Sequence, residues 1–389
     1  MCVIIAVTQL GFGALVPVLP LYAKSFGVSV SAIGLTIAIY GLARFAMAIP
    51  CGRLADGIGR RPTLALGGAV SAIGNLWCAL AHHYAEFLVA RFVSGAGAAM
   101  VLTMGAVILA DISPPERRGR MMATYQGVFL FAFGIGPLPG GLLAEYIGLA
   151  APFYVYAVAS VIGGLLAWHA IPETRDFASE HRGEARATRL PFREQVRALT
   201  RHVGFLLVSL ISLVSAIGRT GALFAIVPLL ASVKLGLSAG QVGAGFAMAS
   251  ILGLLASYPA GALADRFGRK WVIVPATLVN GGSMAVFALV PSLTGFLAAC
   301  ALWGVASAVS GAAPAAYAAD TAPPGMNAIA MSSFRMLADL GYVIGPIALG
   351  LLADLHSTEF ALSFAGVLTV SAALLFAKYA PETVVRRRD

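Results

Sequence analysis

Charged residues are scarce in this sequence. They make up 11% of its 389 residues, while 59% are hydrophobic; a soluble domain carries about 25% charged residues. This shortage excludes water as the main solvent for the fold. The apolar runs are about 20 residues long, which is the length a helix needs to cross roughly 30 Å of hydrocarbon. The composition therefore predicts an all-α, polytopic membrane protein.

Cysteine is also rare, and its positions suggest neither a bridge nor a metal site. Cys2, Cys51, Cys78 and Cys300 lie in or at the ends of apolar runs, without CxxC or Cys/His spacing. Disulfides, metals and cofactors are therefore not expected. No nucleophile–base set or nucleotide loop is present, which argues against an enzyme. The net charge of +9 comes from basic loops beside apolar runs, so no nucleic-acid partner is expected.

The apolar runs predict twelve spans. The first begins almost at Met1 without a basic n-region or cleavage site, so we interpret it as a span and not as a signal peptide. Lys24 and Lys234 lie in loops of one parity and most other basic residues in loops of the opposite parity, which predicts a cell (inner) membrane protein with both termini cytoplasmic. The spans are expected near residues 2–22, 32–52, 63–81, 85–109, 121–145, 150–171, 204–231, 239–261, 271–290, 293–318, 327–353 and 360–380.

A long basic loop divides the chain into two six-helix halves. We expect an N-terminal half at residues 1–171, a cytoplasmic linker at 172–203 and a C-terminal half at 204–389. Apolar residues from Phe192 to Val203 recur at helical spacing opposite arginines, which favours a short amphipathic helix on the cytoplasmic leaflet. A disordered basic linker is the alternative.

The same motifs occur twice, 209 residues apart. GRLADGIGRR at 52–61 returns as GALADRFGRK at 261–270. A single register over several separate motifs indicates duplication, so a pseudo-two-fold axis along the membrane normal should relate the halves. The same shift aligns Asp111 with Asp320, Gly136-Pro137 with Gly345-Pro346, and GLLAE at 141–145 with GLLAD at 350–354.

The repeated loop motif resembles the signature loop of the major facilitator superfamily. The resemblance implies that superfamily's fold, with 12 transmembrane helices in two six-helix pseudo-symmetric halves. The glycines allow a tight turn, and the aspartates can accept hydrogen bonds from helix N-terminal amides or pair with arginines, so we expect gating latches. The alternative is that the basic residues only fix the topology. The residues of the two loops are Gly52, Asp56, Gly59, Arg60 and Arg61, with Asp111 nearby, and Asp265, Gly268 and Arg269.

Two further motifs extend the resemblance. RFVSGAG, beginning at Arg91 in span 4, is similar to the superfamily's intramembrane Arg–Gly motif, which implies that Arg91 acts near a proton-carrying acid; a structural arginine satisfied by carbonyl groups is the alternative. GIGPLPGG in span 5 resembles the motif of the superfamily's drug:proton antiporters, and generic close packing is the alternative. Its named residues here are Gly134, Gly136, Pro137, Gly140 and Gly141.

The resemblance places spans 1, 4, 7 and 10 around a central cavity. Polar residues share one face of spans 7 and 10 at helical spacing. We predict that they meet the substrate, with hydrogen bonding between helices as the alternative. The candidate cavity residues are Gln9, Arg91, Ser212, Ser215, Arg219, Trp303, Ser307, Ser310 and Tyr317.

One acid, Asp339 in span 11, lies near mid-membrane, four residues after Arg335. That spacing permits an internal salt bridge. Burial favours the protonated acid and Arg335 the ionised one, so access to either side can decide protonation. We predict that Asp339, with Arg335 and Arg91, couples transport to protons. The alternative is that Arg335 and Asp339 only neutralise each other.

Two functions follow from these residues. The first is a secondary transporter that exports a small amphipathic compound by proton antiport and alternating access. The second is a carrier of an anionic metabolite, with Arg219 and Arg91 binding its carboxylate or phosphate, because arginines outnumber acids within the spans. The expected partners are the small-molecule substrate, protons and the lipid bilayer, and we expect a monomer.

Overall fold

The computed structural model describes residues 1–113, 117–174, 199–322 and 327–383. Within these ranges every regular element is a helix. In chain order they are α1 (Cys2–Leu15), α2 (Leu19–Lys24), α3 (Val30–Ile58), α4 (Arg60–Leu80), α5 (Tyr84–Ile112), α6 (Arg118–Ile135), α7 (Pro137–Tyr146), α8 (Ala151–Ala170), α9 (Val203–Ile217), a π-helix (Gly218–Ile226), α10 (Val227–Lys234), α11 (Ala239–Phe267), α12 (Arg269–Leu289), α13 (Leu293–Asp320), α14 (Asn327–Leu355) and α15 (Thr358–Tyr379).

These helices form twelve apolar segments, one for each predicted span, which confirms the all-α fold. Eleven helical segments of the described chain are long and apolar enough to cross a membrane. Span 1 is divided near Pro17 into α1 and α2, because proline lacks the N–H that would continue the helix. Span 5 is divided likewise before Pro137 into α6 and α7. Span 7 consists of α9, the π-helix and α10.

The chain forms two compact units. Unit 1 contains Met1–Val28, Thr36–Ala187 and Ser238–Ala247, and unit 2 contains Ser29–Leu35, Thr188–Leu237 and Met248–Asp389. Each unit therefore holds most of one half of the sequence and a short piece of the other. The first turns of α3 belong to unit 2, and the first turns of α11 belong to unit 1.

Small residues let the helices of unit 1 approach closely. A Cβ atom at Gly68 on α4 would lie 2.7 Å from the Cα of Gly164 on α8, and one at Gly67 would lie 2.7 Å from the Cβ of Met100 on α5. Such contacts replace the hydrophobic driving force that lipid does not provide between helices. They fix α4 between α5 and α8.

Unit 2 has an apolar core built from α9, α12, α13 and α15. Phe205, Ile273 and Phe376 are among its buried residues. Leu199, which the sequence assigns to an amphipathic surface helix, is buried in this core as well. The surface placement is therefore wrong for Leu199, and the preceding part of that stretch, including Phe192, lies outside the described residues.

Candidate functional site

Arg91 on α5 is fully buried in unit 1, with 1% of the residue exposed. Its Nε donates a hydrogen bond to the carbonyl oxygen of Thr36 at 3.3 Å. The guanidinium carbon lies 4.5 Å from the ring centroid of Tyr40, close enough for a cation–π contact. Its Nη1 is buried without a hydrogen-bond partner among the described residues. Because an unsatisfied buried donor is costly, Arg91 is a candidate functional residue.

A chain of polar side chains begins beside Arg91. The buried Tyr156 has polar interactions with the side chains of Tyr40 and Ser71. The Ser71 and Ser160 hydroxyl oxygens are 3.1 Å apart. These residues belong to spans 2, 3 and 6, so the buried arginine is joined to three neighbouring helices by polar contacts.

Span 1 packs against this network. Gln9, the other predicted cavity residue of unit 1, is buried, and the neighbouring Thr8 hydroxyl donates to the carbonyl oxygen of Ile4 at 2.9 Å. A Cβ atom at Gly11 would lie 2.6 Å from the Tyr156 ring. The close approach of α1 to α8 therefore closes the Arg91 network on that side.

The predicted polar face of unit 2 is not fully buried in the protein over most of its length. Arg219 is exposed, and the predicted serines of α9 are half-buried. Trp303 is half-buried, and the half-buried Ser307 donates its hydroxyl to the carbonyl oxygen of Gly304 at 3.1 Å. The Ser310 side chain lies outside the described residues. The half-buried members of this face are Ser212, Ser215, Trp303 and Ser307.

Tyr317 does not belong to the polar face. It is 0% exposed within the apolar core of unit 2, where its ring packs edge-on against Phe376 at 5.0 Å. Its hydroxyl donates to the carbonyl oxygen of Pro381 at 2.6 Å. The assignment of Tyr317 to the substrate cavity is therefore wrong, because helical spacing alone does not show that the last turn of α13 faces the core.

Arg335 and Asp339 lie on α14 and are both exposed. They form no ion pair with each other in the described part of the chain. Charged side chains within spans face protein or a water-filled cavity and not lipid. This face of span 11 is therefore a candidate lining of an aqueous cavity.

Arg219 lies on the π-helix of span 7, a feature that sequence analysis missed. The π-helix covers nine residues, whereas most π-helical segments are single turns, often found at functional sites. The Thr220 hydroxyl donates to the carbonyl oxygen of Ala216 at 2.9 Å and lies 3.4 Å from that of Tyr342 on span 11. No hydrophobic period distinguishes this segment from an α-helix, so the sequence carries no usable signal for it.

The first charge cluster lies where α3 meets α4. Arg60 Nη1 is 2.7 Å from Asp56, and Arg60 Nε is 3.6 Å from Asp111. Glu173 accepts hydrogen bonds from the backbone N–H groups of Arg60 at 2.9 Å and Arg61 at 3.2 Å. Glu173 thus caps the N-terminus of α4, and Arg60 joins the ends of α3 and α5.

The second charge cluster, in unit 2, repeats this arrangement. Arg269 Nε donates to Asp320 at 3.3 Å. Glu382 accepts from the backbone N–H groups of Arg269 and Lys270, both at 3.0 Å. The Asp265 side chain lies outside the described residues. Each cluster therefore stabilises the turn between two consecutive spans of its own unit.

The first cluster shows which of the two expected contacts Asp56 makes. We expected Asp56 to accept from helix N-terminal amides or to pair with an arginine, and it pairs with Arg60 while Glu173 takes the amides. Sequence analysis missed Glu173 and Glu382, although Pro172-Glu-Thr and Pro381-Glu-Thr share the 209-residue shift. The Thr174 hydroxyl donates to Asp111 at 3.2 Å, and the Thr383 hydroxyl donates to Asp320 at 3.3 Å.

The glycines of span 5 lie against two different helices. A Cβ atom at Gly136 would lie 2.6 Å from the carbonyl oxygen of Leu10, and Gly140 lies against the backbone of Ala14, both on span 1. Gly141 lies against the backbone of Ala239 and Gly240, at the start of α11. Gly134 is buried. Span 5 is therefore in backbone contact with spans 1 and 8.

The corresponding glycines of span 11 make the corresponding contacts in unit 2. A Cβ atom at Gly345 would lie 2.7 Å from the Cα of Ile217 on span 7. One at Gly350 would lie 2.7 Å from the Cα of Ser31, at the start of α3. The duplicated sequence thus places duplicated backbone contacts in the two units.

Comparison with known proteins covers the whole chain. The family model described as Major Facilitator Superfamily matches residues 1–218 and 208–389. An MFS-type transporter of Methanocaldococcus jannaschii is 24% identical over 363 residues, which are 93% of this chain and 92% of that protein. A bacterial homologue of the human lysosomal transporter Spinster has a TM-score of 0.79 at 17% identity, covering 96% of this chain and 95% of that one.

Two further relatives match a smaller part of the chain. The citrate exporter 1 of Aspergillus niger is 30% identical over 158 residues, which are 41% of this chain and 30% of the exporter. The quinolone resistance protein NorA of Staphylococcus aureus is 27% identical over 157 residues, 40% of each protein. The chain therefore spans less than half the length of these two relatives.

Proposed function

The chain belongs to the Major Facilitator Superfamily, and on that premise we propose that it is a proton-coupled exporter of a small amphipathic compound. It is a multi-pass membrane transporter and not an enzyme. We place it as a monomer in the cell (inner) membrane with both termini cytoplasmic. Halves 1–171 and 204–389, joined by the linker 172–203, would rock about a midplane site.

The observation that carries export is the double contact of span 5. Gly136 packs on span 1, whereas Gly141 packs on span 8. A helix in backbone contact with two others can seal the substrate path, which an antiporter needs because an open path dissipates the proton gradient. The partial similarity to the quinolone resistance protein NorA supports export of a compound of this class.

Asp339 is the acid we assign to proton coupling. It is exposed on α14, and a carboxylate at that depth requires water or protein around it. Arg335 lies one turn earlier on α14. In our proposal, a change in the access of water to Asp339 during the transport cycle loads and releases a proton.

Reconstituted protein tests this assignment. In liposomes with an imposed pH gradient, we expect Asp339→Asn to abolish accumulation of a cationic dye and to preserve dye binding and gradient-independent exchange. Glu86→Gln is a matched control, since Glu86 is a carboxylate that accepts from Trp77 Nε1 at 2.8 Å outside the proposed path. Accumulation by Asp339→Asn at the parental level would refute the coupling role.

A carrier of an anionic metabolite is the second candidate, and the arginines favour it. Arg219 and Arg335 are exposed in unit 2, and Arg44 is half-buried in unit 1. These three positive side chains outnumber Asp339, the acid that we place at a similar depth. Arginine binds carboxylates through paired N–H groups. The partial similarity to a citrate exporter points in the same direction.

Arg219 distinguishes the two candidates in the same liposomes. If the substrate is an anion, Arg219→Ala should reduce uptake of citrate, used as the probe, by about tenfold or more, because a charge-assisted hydrogen bond contributes roughly 1.5–3 kcal/mol. Export of the cationic dye should then survive. Equal citrate transport by Arg219→Ala and the parent would exclude an anion-binding role for this residue.

A further inference from the structure

Glu145, at the end of α7, caps the beginning of α11. It accepts hydrogen bonds from the Ser238 hydroxyl at 2.8 Å and from the backbone N–H of Gly240 at 3.1 Å. All three residues belong to unit 1. The first N–H groups of a helix have no partner within it and carry partial positive charge, so a carboxylate there is stabilising.

Asp354, at the end of α14, caps the beginning of α3 in the same way. Its two carboxylate oxygens accept from the backbone N–H groups of Val30 at 2.8 Å and Ser31 at 2.9 Å. These residues all belong to unit 2. Asp354 and Ser31 are the counterparts of Glu145 and Gly240 under the 209-residue shift, so both halves form the same kind of bond.

Neither helix depends on these carboxylates for an ordinary cap. Ser29 accepts from the N–H of Ala32 at 3.3 Å, and Ser238 accepts from the N–H of Gln241 at 3.2 Å. Serine at this position is a standard N-cap. The carboxylates are therefore additional contacts, and what they add is a bond between two different helices.

The bonds exist only while the helices are close. Gly141 and Gly350 each lie one turn before the capping carboxylate, on the same helix face, and pack on the backbone that it caps. A hydrogen bond is lost when donor and acceptor move more than about 0.5 Å beyond 3.2 Å. Separation of the helix pair would therefore break the cap and the glycine contact together.

Unit membership shows what each bond connects. Ser29–Leu35 belong to unit 2, and α3 continues in unit 1 from Thr36. The start of α11, up to Ala247, belongs to unit 1, and α11 continues in unit 2 from Met248. Each carboxylate thus holds the first turns of a helix whose remainder belongs to the other unit. Both lie at the helix ends opposite to the charge clusters.

We propose that Glu145 and Asp354 are gating residues, a matched pair of latches that hold the α7–α11 and α14–α3 helix pairs together and release them together in each cycle. The proposal rests on alternating access, as stated under the proposed function, but on neither the coupling ion nor the substrate. With the proposed topology, the latches lie on the extracytoplasmic side. Every cycle that opens this side breaks two carboxylate–helix contacts and remakes them on closing.

Distance measurements between spin labels test the latches directly. We would label H82C and P291C, exposed positions in the loops at the latch end, in a C2S background; the three buried cysteines remain unlabelled. Replacing Glu145 or Asp354 by Ala should raise the ratio of open to closed molecules about fivefold each, and about 25-fold together, since a carboxylate at a helix N-terminus changes an equilibrium by about this factor.

Two sets of variants keep the test falsifiable. Glu145→Gln and Asp354→Asn retain an acceptor oxygen without the charge, so they should shift the ratio of open to closed molecules less than the alanine variants do. These amide variants also provide a readout if the alanine variants fold poorly. Glu359→Gln removes a carboxylate at the same end that pairs with Lys234 at 2.8 Å, and it should leave the distances unchanged. The proposal is overturned if the double variants keep the parental label distances, or if Glu359→Gln shifts these distances as much as the double variants do.

This readout requires neither substrate nor a proton gradient. Failure of Asp339→Asn to abolish pH-driven transport would therefore refute proton coupling and leave the latches standing. Unchanged label distances in the latch variants would refute the latches and leave proton coupling standing.

Discussion

Gly59 and Gly268 hold the two charge clusters in place. Their φ angles are +106° and +107°, in a region that residues with a Cβ atom rarely adopt. A Cβ atom at Gly59 would also lie 2.9 Å from the carboxylate carbon of Glu173. The turn thus leaves room for a carboxylate to reach the first amides of α4, and glycine is the residue that permits both the backbone angle and the contact.

We predict that Gly59→Ala lowers the stability of the protein by about 1–3 kcal/mol, the usual cost of a strained backbone conformation. The melting temperature of the purified transporter measures this effect. Gly57→Ala is the matched control, because a Cβ atom there meets nothing within 4 Å. Equal melting temperatures for the two variants would show that the Gly59 turn is not strained by a side chain.

The sequence predicts the motif residues of these clusters better than it predicts their partners. Glycine and aspartate at fixed spacing identify the turn, and Arg60 follows from the same motif. Glu173 lies more than 100 residues further along the chain, and no local pattern connects it to Arg60. The long-range pairing becomes visible in sequence only when the two halves are aligned with each other.

Among the elements, span 5 makes helix contacts that depend on small residues. Its glycines face two partners, span 1 and span 8, and each contact is made to backbone atoms. Backbone atoms cannot move aside as a flexible side chain can, so added bulk has to separate the helices.

We therefore predict that Gly141→Leu impairs transport and makes liposomes leak protons, at a cost of about 1–3 kcal/mol for overpacking. Gly127→Leu is the matched control on the same span, since a Cβ atom at Gly127 meets nothing within 4 Å. Transport assays and a pH-sensitive dye inside the liposomes measure both effects. Normal transport without leakage by Gly141→Leu would mean that the contact with α11 does not seal the path.

Helix positions could be predicted from the sequence, whereas the faces of the helices could not. Length and hydrophobicity suffice for the twelve segments because a bilayer requires helices of a set length. Lipid is as apolar as a protein core, so hydrophobicity does not separate outward from inward faces. Tyr317, predicted in the cavity but buried in the core, is the consequence. The π-helix that carries Arg219 was missed for another reason, since no hydrophobic period distinguishes it from an α-helix.

At the scale of the whole molecule, duplication determines the architecture, and the two copies have diverged in how deeply their charges are buried. In unit 1 the Arg60 side chain is 5% exposed and Asp111 is 14% exposed. In unit 2 the corresponding values are 20% for Arg269 and 39% for Asp320. A carboxylate partner therefore matters more to the first cluster, as the denser charge of its loop also suggests.

Replacing the two aspartates tests this asymmetry. An exposed ion pair contributes about 0–1 kcal/mol, and a more buried pair loses more when one partner is removed. Arg60 keeps Asp56 as a second partner, which limits the loss. Asp111→Asn should still lower both the melting temperature and the transport rate more than Asp320→Asn. The two variants are matched controls for each other, because the same atoms change at equivalent positions of the repeat. Equal losses would show that burial does not distinguish the clusters, and a larger loss at Asp320 would place the dominant cluster in unit 2.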